Sequence, residues 1–255
     1  MMNMLPGCTA RRRQADSTDS KLSLFRGQFF YFPFFYFPQQ REVADMMVTP
    51  KLHMITGGDG DSFEASIHAA IQAAPWVDYI HLRNKSASAR QLEAWAQRLL
   101  QGAVPPSKLI INDRVDVALA VGACGVQLAW HSLRPQTVKQ RWPHLLAGVS
   151  VHSPREAADA FAAGADYVLF GHVYESASKP GLPARGLRLL EETVRLAGEG
   201  RPVIALGGIL PVHVPELLRS GAAGLAVLSG IGAAADPAEA AQEYRAAALK
   251  GGDPT

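Results

Sequence analysis

Cysteine is scarce: across 255 residues the thiols are Cys8 and Cys124. Two cysteines so far apart form neither a disulfide framework nor a zinc pattern, and they point to a reduced, cytoplasmic setting. Charge of one sign is lacking too. The formal net charge is +2, from 25 Lys/Arg and 23 Asp/Glu. Residues 1–47 hold six of the basic residues (Arg11, Arg12, Arg13, Lys21, Arg26, Arg41) and four of the acidic ones (Asp16, Asp19, Glu42, Asp45), which leaves the rest of the chain formally neutral. No basic face clusters after residue 47, which argues against a nucleic-acid partner. A long apolar run is also missing. The stretch 25–37, FRGQFFYFPFFYF, holds nine of the 20 aromatic residues but is broken by Gly27 and Pro33. It falls short of the roughly 20 apolar residues that span a bilayer. No apolar h-region follows the Arg run at 11–13 directly, and no clean small-residue cleavage site follows, so a secretory signal is not expected. No membrane partner is expected either.

What remains is ordinary globular composition, 48% hydrophobic and 19% charged. Residues 1–47 read as an irregular, disordered N-terminal extension, with Met46 or Met47 a plausible start of the body. Residues 48–255 read as one domain. From residue 51 short apolar runs alternate with helical patterns eight times, the signature of βα units around a parallel sheet. The expected strands are 52–56, 79–83, 108–112, 125–128, 145–151, 167–172, 202–208 and 224–230. The expected helices are 63–74, 88–101, 115–121, 135–141, 154–163, 186–197, 211–220 and 236–249, with a turn at 231–234. Pro154, Pro211 and Pro237 fall where first-turn prolines are tolerated. Eight units in about 200 residues predict a single (β/α)8 TIM barrel, whose active sites lie on the loops after the strands.

Two of those loops are rich in glycine. Strand seven ends in Gly207-Gly208 and strand eight in Ser229-Gly230. Glycine lets backbone N–H groups approach an anion, and the loops after strands seven and eight are the recurring phosphate site of this fold. Tight turns alone would also explain the glycines. In strand two, Tyr79, His81 and Arg83 share one face by period-two alternation. Arg83 at the rim places that face inward, with His81 beneath it. Arg83 and Lys85 together make an anion clamp, although Lys85 is nearly as well read as a surface residue. His152 stands just past strand five, ahead of a proline-started helix. A neutral imidazole there can move a proton near pH 7, or it can cap the helix.

The segments HLRNK (81–85), NDRVDVALAVGACGVQL (112–128), GVSVHS (148–153), DYVLFGHVYES (166–176), IALGGI (204–209) and AGLAVLSGI (223–231) resemble the thiamine phosphate synthase/TenI superfamily over about residues 51–249. In that superfamily the synthases join a pyrimidine diphosphate to a thiazole phosphate and use Mg²⁺ held by carboxylates on two loops. Asp113 matches the first carboxylate. The second follows strand four in a Gly-Gln-x-Asp pattern, where this chain reads Ala129-Trp130-His131-Ser132. The synthases' Thr-rich segment with a Lys reads here Glu175-Ser176-Ala177-Ser178-Lys179, without the threonines. Trp130 would crowd the diphosphate side. The TenI-like branch is a thiazole tautomerase, and its pattern resembles Phe170-Gly171-His172-Val173 through Arg185-Gly186, with a Ser-Val-His-Ser motif at 150–153.

The resemblance therefore implies an isomerase that aromatises a carboxythiazole phosphate without metal or organic cofactor. His152 would move the proton, and its replacement by Ala would keep binding and cost at least about a hundredfold in rate. Gly207, Gly208, Ser229 and Gly230 would hold the phosphate, with Arg83 and Lys85 on the other anionic group. His81, Asn112, Trp130 and His172 would line the pocket, and Asp113 would bind metal only in a synthase. The alternatives are a Mg²⁺-dependent synthase and a non-catalytic thiazole-phosphate-binding regulator. The partner implied is a phosphorylated thiazole. Self-association into a homo-oligomer is left open.

Overall fold

The computed structural model describes residues 49–58, 60–176 and 181–251. The expected extension over 1–47 lies outside them. Eight short runs rich in Ile, Leu and Val form strands: β1 (Lys51–Ile55), β2 (Tyr79–Leu82), β3 (Leu109–Asn112), β4 (Gly125–Leu128), β5 (Leu146–Val151), β6 (Tyr167–Gly171), β7 (Val203–Leu206) and β8 (Gly224–Val227). Each pairs in parallel with the next, and β8 closes on β1. This is the expected barrel.

The helices are α1 (Asp61–Ala73), α2 (Ala89–Gln101), α3 (Val115–Val121), α4 (Pro135–Arg141), α5 (Pro154–Ala162), α6 (Gly186–Ala197), α7 (Val214–Arg219), α8 (Ser229–Gly232) and α9 (Pro237–Gly251). Their starts are set locally. Ser88 and Gln91 form a reciprocal capping box ahead of α2. Ser153 accepts from the Glu156 N–H ahead of α5. Among the described residues, none of these helices is long and apolar enough to cross a membrane.

Most boundaries shift by one or two residues, and two differences alter the elements themselves. The helix expected at 211–220 splits into a 3₁₀ turn, Pro211–His213, and α7. Pro211 and Pro215 both lack an amide hydrogen, and each is accommodated only in the first turn of its own segment. The strand expected to run through Gly230 stops at Val227, and α8 starts at Ser229, two residues before the expected turn.

The period-two pattern sorts the strands into two layers. Ile80, Leu82, Leu109, Ile111 and Val126 face outward and pack with Phe63, Leu92 and Leu99 of the helices. Burying each such side chain contributes about 1.5–3 kcal/mol. Ile55, Tyr79, Ile110, Leu146, Tyr167, Leu169, Ile204 and Ala226 fill the barrel itself. The inner layer is tight at Gly148. A Cβ there would lie 2.2 Å from Tyr167 Cζ and 2.5 Å from Gln127 Oε1.

His53 and His81 are also inside the barrel, at 0% and 1% exposure. His53 Nδ1 and His81 Nε2 share one hydrogen bond of 2.8 Å. Burial is the main reason both rings are held neutral. It pulls His53 down to about 3, helped by Lys51 and Arg245. It pulls His81 well below its usual range, helped by His53.

Candidate functional site

The loops that follow the strands gather the chemistry at one end of the barrel. At the end of β2 the backbone is fixed by Thr56. Its hydroxyl accepts from the Arg83 N–H at 2.9 Å and lies 3.2 Å from the His81 carbonyl, to which it donates. This clasp presents Arg83 half-buried at the rim. No carboxylate pairs with its guanidinium among the described residues, and burial pulls its pKa down. A cation that is partly stripped of water and lacks an acidic partner is built to receive an anion. Lys85, two residues on, is exposed. His81 lies beneath Arg83 as the alternation requires, but its Nε2 is committed to His53. The sequence alone puts His53 in its strand and gives it no role. Only the pairing of β1 with β2 reveals the contact.

Across β1, the ends of β7 and β8 carry the glycines. Gly207 and Gly208 have φ of +106° and +64°. A Cβ at Gly207 would lie 2.4 Å from His172 Cβ, and one at Gly208 would lie 2.1 Å from the Glu175 carbonyl oxygen. These glycines are therefore required by the backbone that follows β6, whatever they also offer a ligand. The Tyr174 N–H reinforces that crossing by donating to the Gly207 carbonyl at 3.0 Å. Ser229 and Gly230 are both exposed and open α8. The first N–H groups of a helix have no intrahelical acceptor and face outward as donors. Tyr174 and His213 stack at 4.2 Å beside this corner.

The corner between β3 and β4 holds Asp113 in a left-handed backbone conformation, φ +67°, which Asp tolerates better than most residues. Ser132 Oγ donates to Asp113 Oδ1 at 2.5 Å and accepts from the Ala129 N–H at 2.9 Å. His131 Nε2 stands 3.6 Å from Asp113 Oδ2. Asn112 is half-buried below them. Trp130 does not line a pocket as expected. Its side chain is 94% exposed and meets the edge of His131.

Mg²⁺ asks for near-octahedral oxygen ligands, usually one or two carboxylates with waters and phosphates. Here a single carboxylate already accepts from a hydroxyl, Ser132 stands in the second carboxylate's place, and an imidazole is 3.6 Å from the other oxygen. No group of three His, Cys, Asp or Glu among the described residues could hold a metal ion. The donor set does not fit Mg²⁺. Ser132 has no role in the sequence reading, and its only signal is its place where the synthase pattern has Asp.

The remaining expected residues separate. His152 is half-exposed beyond β5. Its N–H donates to Glu156 Oε2 at 2.7 Å, and its Nδ1 lies 3.5 Å from the same oxygen. Ser153, not His152, caps α5. His172 does not open to the rim. It is 2% exposed, and its Nε2 donates to the Pro183 carbonyl at 3.1 Å. That bond, with Arg185 Nε on the Gly171 carbonyl at 2.7 Å, anchors the segment after β6. Lys179 lies outside the described residues.

Comparison with known proteins identifies the relatives. The profile of the thiamine monophosphate synthase family matches residues 52–231. Thiamine-phosphate synthase of Chloroflexus aurantiacus is 37% identical over 207 residues, 77% of this chain and 91% of its own length. That of Thermus thermophilus is 34% identical over 197 residues, 75% of this chain and 93% of its own. Among solved structures, thiamine phosphate pyrophosphorylase from Pyrococcus furiosus superposes with a TM-score of 0.68 at 30% identity, covering 81% of this chain and 98% of its own. These relatives are synthases, which are transferases. That overturns the expectation of an isomerase.

Proposed function

The chain belongs to the thiamine monophosphate synthase family, and on that premise we propose that it is a thiamine-phosphate synthase, a transferase that joins a pyrimidine diphosphate to a thiazole phosphate. The name and coverage of its relatives support this reading most directly. In the reaction a carbon–oxygen bond to the diphosphate breaks, the pyrophosphate leaves with the electron pair, and the thiazole nitrogen bonds to the freed carbon. Such a site must hold two anionic groups at once.

The rim offers two anion-facing features separated by β1. Arg83 and Lys85 would face the departing pyrophosphate, with Arg83 supplying a bidentate fork. The backbone at Gly207 and Gly208, with the Ser229 and Gly230 N–H groups, would hold the thiazole phosphate. His152 would orient a polar group of either ligand, with Glu156 Oε2 3.5 Å from its Nδ1. The donor set at Asp113 does not fit Mg²⁺.

One observation favours a second reading. Ser132 stands at the second carboxylate's place, which suits a protein that binds thiazole phosphate without diphosphate chemistry. An assay with both phosphorylated precursors, with and without Mg²⁺, separates the two. Formation of the joined product supports the transferase. Binding of the thiazole phosphate with no product under either condition supports the binder and refutes the transferase.

A further inference from the structure

We infer that Ser132 closes the Asp113 corner to divalent cations, so that this corner is a hydroxyl-locked carboxylate and not a metal site. The inference rests on the transferase reading only for its interest, since it concerns what Asp113 can bind and not whether product forms.

The hydrogen-bond directions are forced. The Ser132 hydroxyl has one proton and two lone pairs. The Ala129 N–H can only donate, so it takes a lone pair of Oγ. Asp113 Oδ1 can only accept when ionised, so it takes the proton. The hydroxyl is thus directed at the carboxylate by the turn that carries it, and the Ser132 N–H closes the same turn on the Ala129 carbonyl at 3.0 Å. A cation on Oδ1 would share that oxygen with a charge-assisted hydrogen bond whose donor, Ser132, stands where a second ligand would have to be. Oδ2 is no better placed. His131 sits 3.6 Å away, and imidazole is a poor ligand for a hard cation such as Mg²⁺. The main chain that carries the carboxylate is fixed as well, because the Asp113 N–H donates to the Gln127 carbonyl at 2.9 Å.

The consequence is a residue-level specificity switch. Ser132→Asp replaces the locking donor with a second acceptor-only group facing the first. Two carboxylates in hydrogen-bond range repel unless a cation lies between them, and a carboxylate pair is a sufficient protein contribution for a hard divalent ion.

The test is a titration of the full-length protein with Mn²⁺, read by electron paramagnetic resonance, on wild type, Asp113→Asn, Ser132→Asp and the Ser132→Asp/Asp113→Asn double variant. The expected result is no saturable site in wild type up to about 1 mM, no change in Asp113→Asn, and a site at least about tenfold tighter in Ser132→Asp that the double variant loses. A saturable wild-type site that Asp113→Asn abolishes would overturn the inference. So would a folded Ser132→Asp variant with unchanged Mn²⁺ affinity. If Ser132→Asp does not fold, the comparison of wild type with Asp113→Asn decides alone. The readout is independent of turnover. Product formation with Mn²⁺ bound at Asp113 sinks this inference and leaves the transferase standing, whereas absence of both sinks only the transferase.

Discussion

Acid should destabilise this barrel through two residues that never reach solvent. His53 and His81 are buried neutral in the barrel core. In the fold His53 titrates at about 3, because of burial and then Lys51 and Arg245. His81 titrates well below the usual 6.5, because of burial and then His53. In the unfolded chain both take protons near 6.5. The stability contributed by the neutral pair is therefore complete above pH 6.5 and is lost as pH falls from there towards 3. Each imidazole costs about 1.4 kcal/mol per pH unit across that window, so the pair costs about 4 kcal/mol between pH 7 and pH 5. That is a large share of the roughly 5–15 kcal/mol typical of a domain. Urea unfolding followed by circular dichroism at pH 7 and pH 5 measures the loss. His53→Gln and His81→Gln should each remove about half of the pH dependence, even if each lowers stability at pH 7. Carboxylates and surface histidines act alike in all variants and cancel in the comparison. An equal loss from pH 7 to pH 5 in wild type and in both variants would refute the reasoning.

Three further outcomes are expected. Arg83→Met should weaken binding of inorganic pyrophosphate about tenfold to a hundredfold by calorimetry, since a charge-assisted hydrogen bond contributes about 1.5–3 kcal/mol, while the thermal midpoint stays near wild type; unchanged affinity would remove Arg83 from the anion site. Gly148→Ala should cost about 2 kcal/mol by overpacking against Tyr167 and Gln127, read as a thermal midpoint about 4–8 °C lower. Ser153→Ala should cost about 1 kcal/mol by removing the cap of α5, and Ser153→Asp should restore it.

The barrel is legible in the sequence because its pattern is repeated eight times and each repeat is local. Alternation along β2 correctly sets Arg83 above an inward His81, since that needs only the pleat of one strand. The candidate site is less legible wherever a side chain answers to another loop. His172 sits at a strand end, and the pattern alone places it in the pocket. Its ring is instead spent on the carbonyls of Leu182 and Pro183, ten and eleven residues along. The glycines at 207 and 208 are legible as a requirement, but their cause is not. The sequence shows that a side chain is unwelcome there. It does not show that the crossing backbone at His172 and Glu175 is the reason.

Asp113 carries the same lesson furthest. Read alone, it is a metal carboxylate with its partner missing. Beside Ser132 it is the acceptor of a short hydrogen bond, with His131 3.6 Å from its other oxygen. Charge on the rim is thereby redistributed. The acidic corner is locked by its own loop, and the half-buried Arg83 has no carboxylate to answer it among the described residues. A rim arranged this way favours an anion held by protein cations and backbone N–H groups. On that arrangement, the substitution expected to change anion binding most is at Arg83 and not at Asp113.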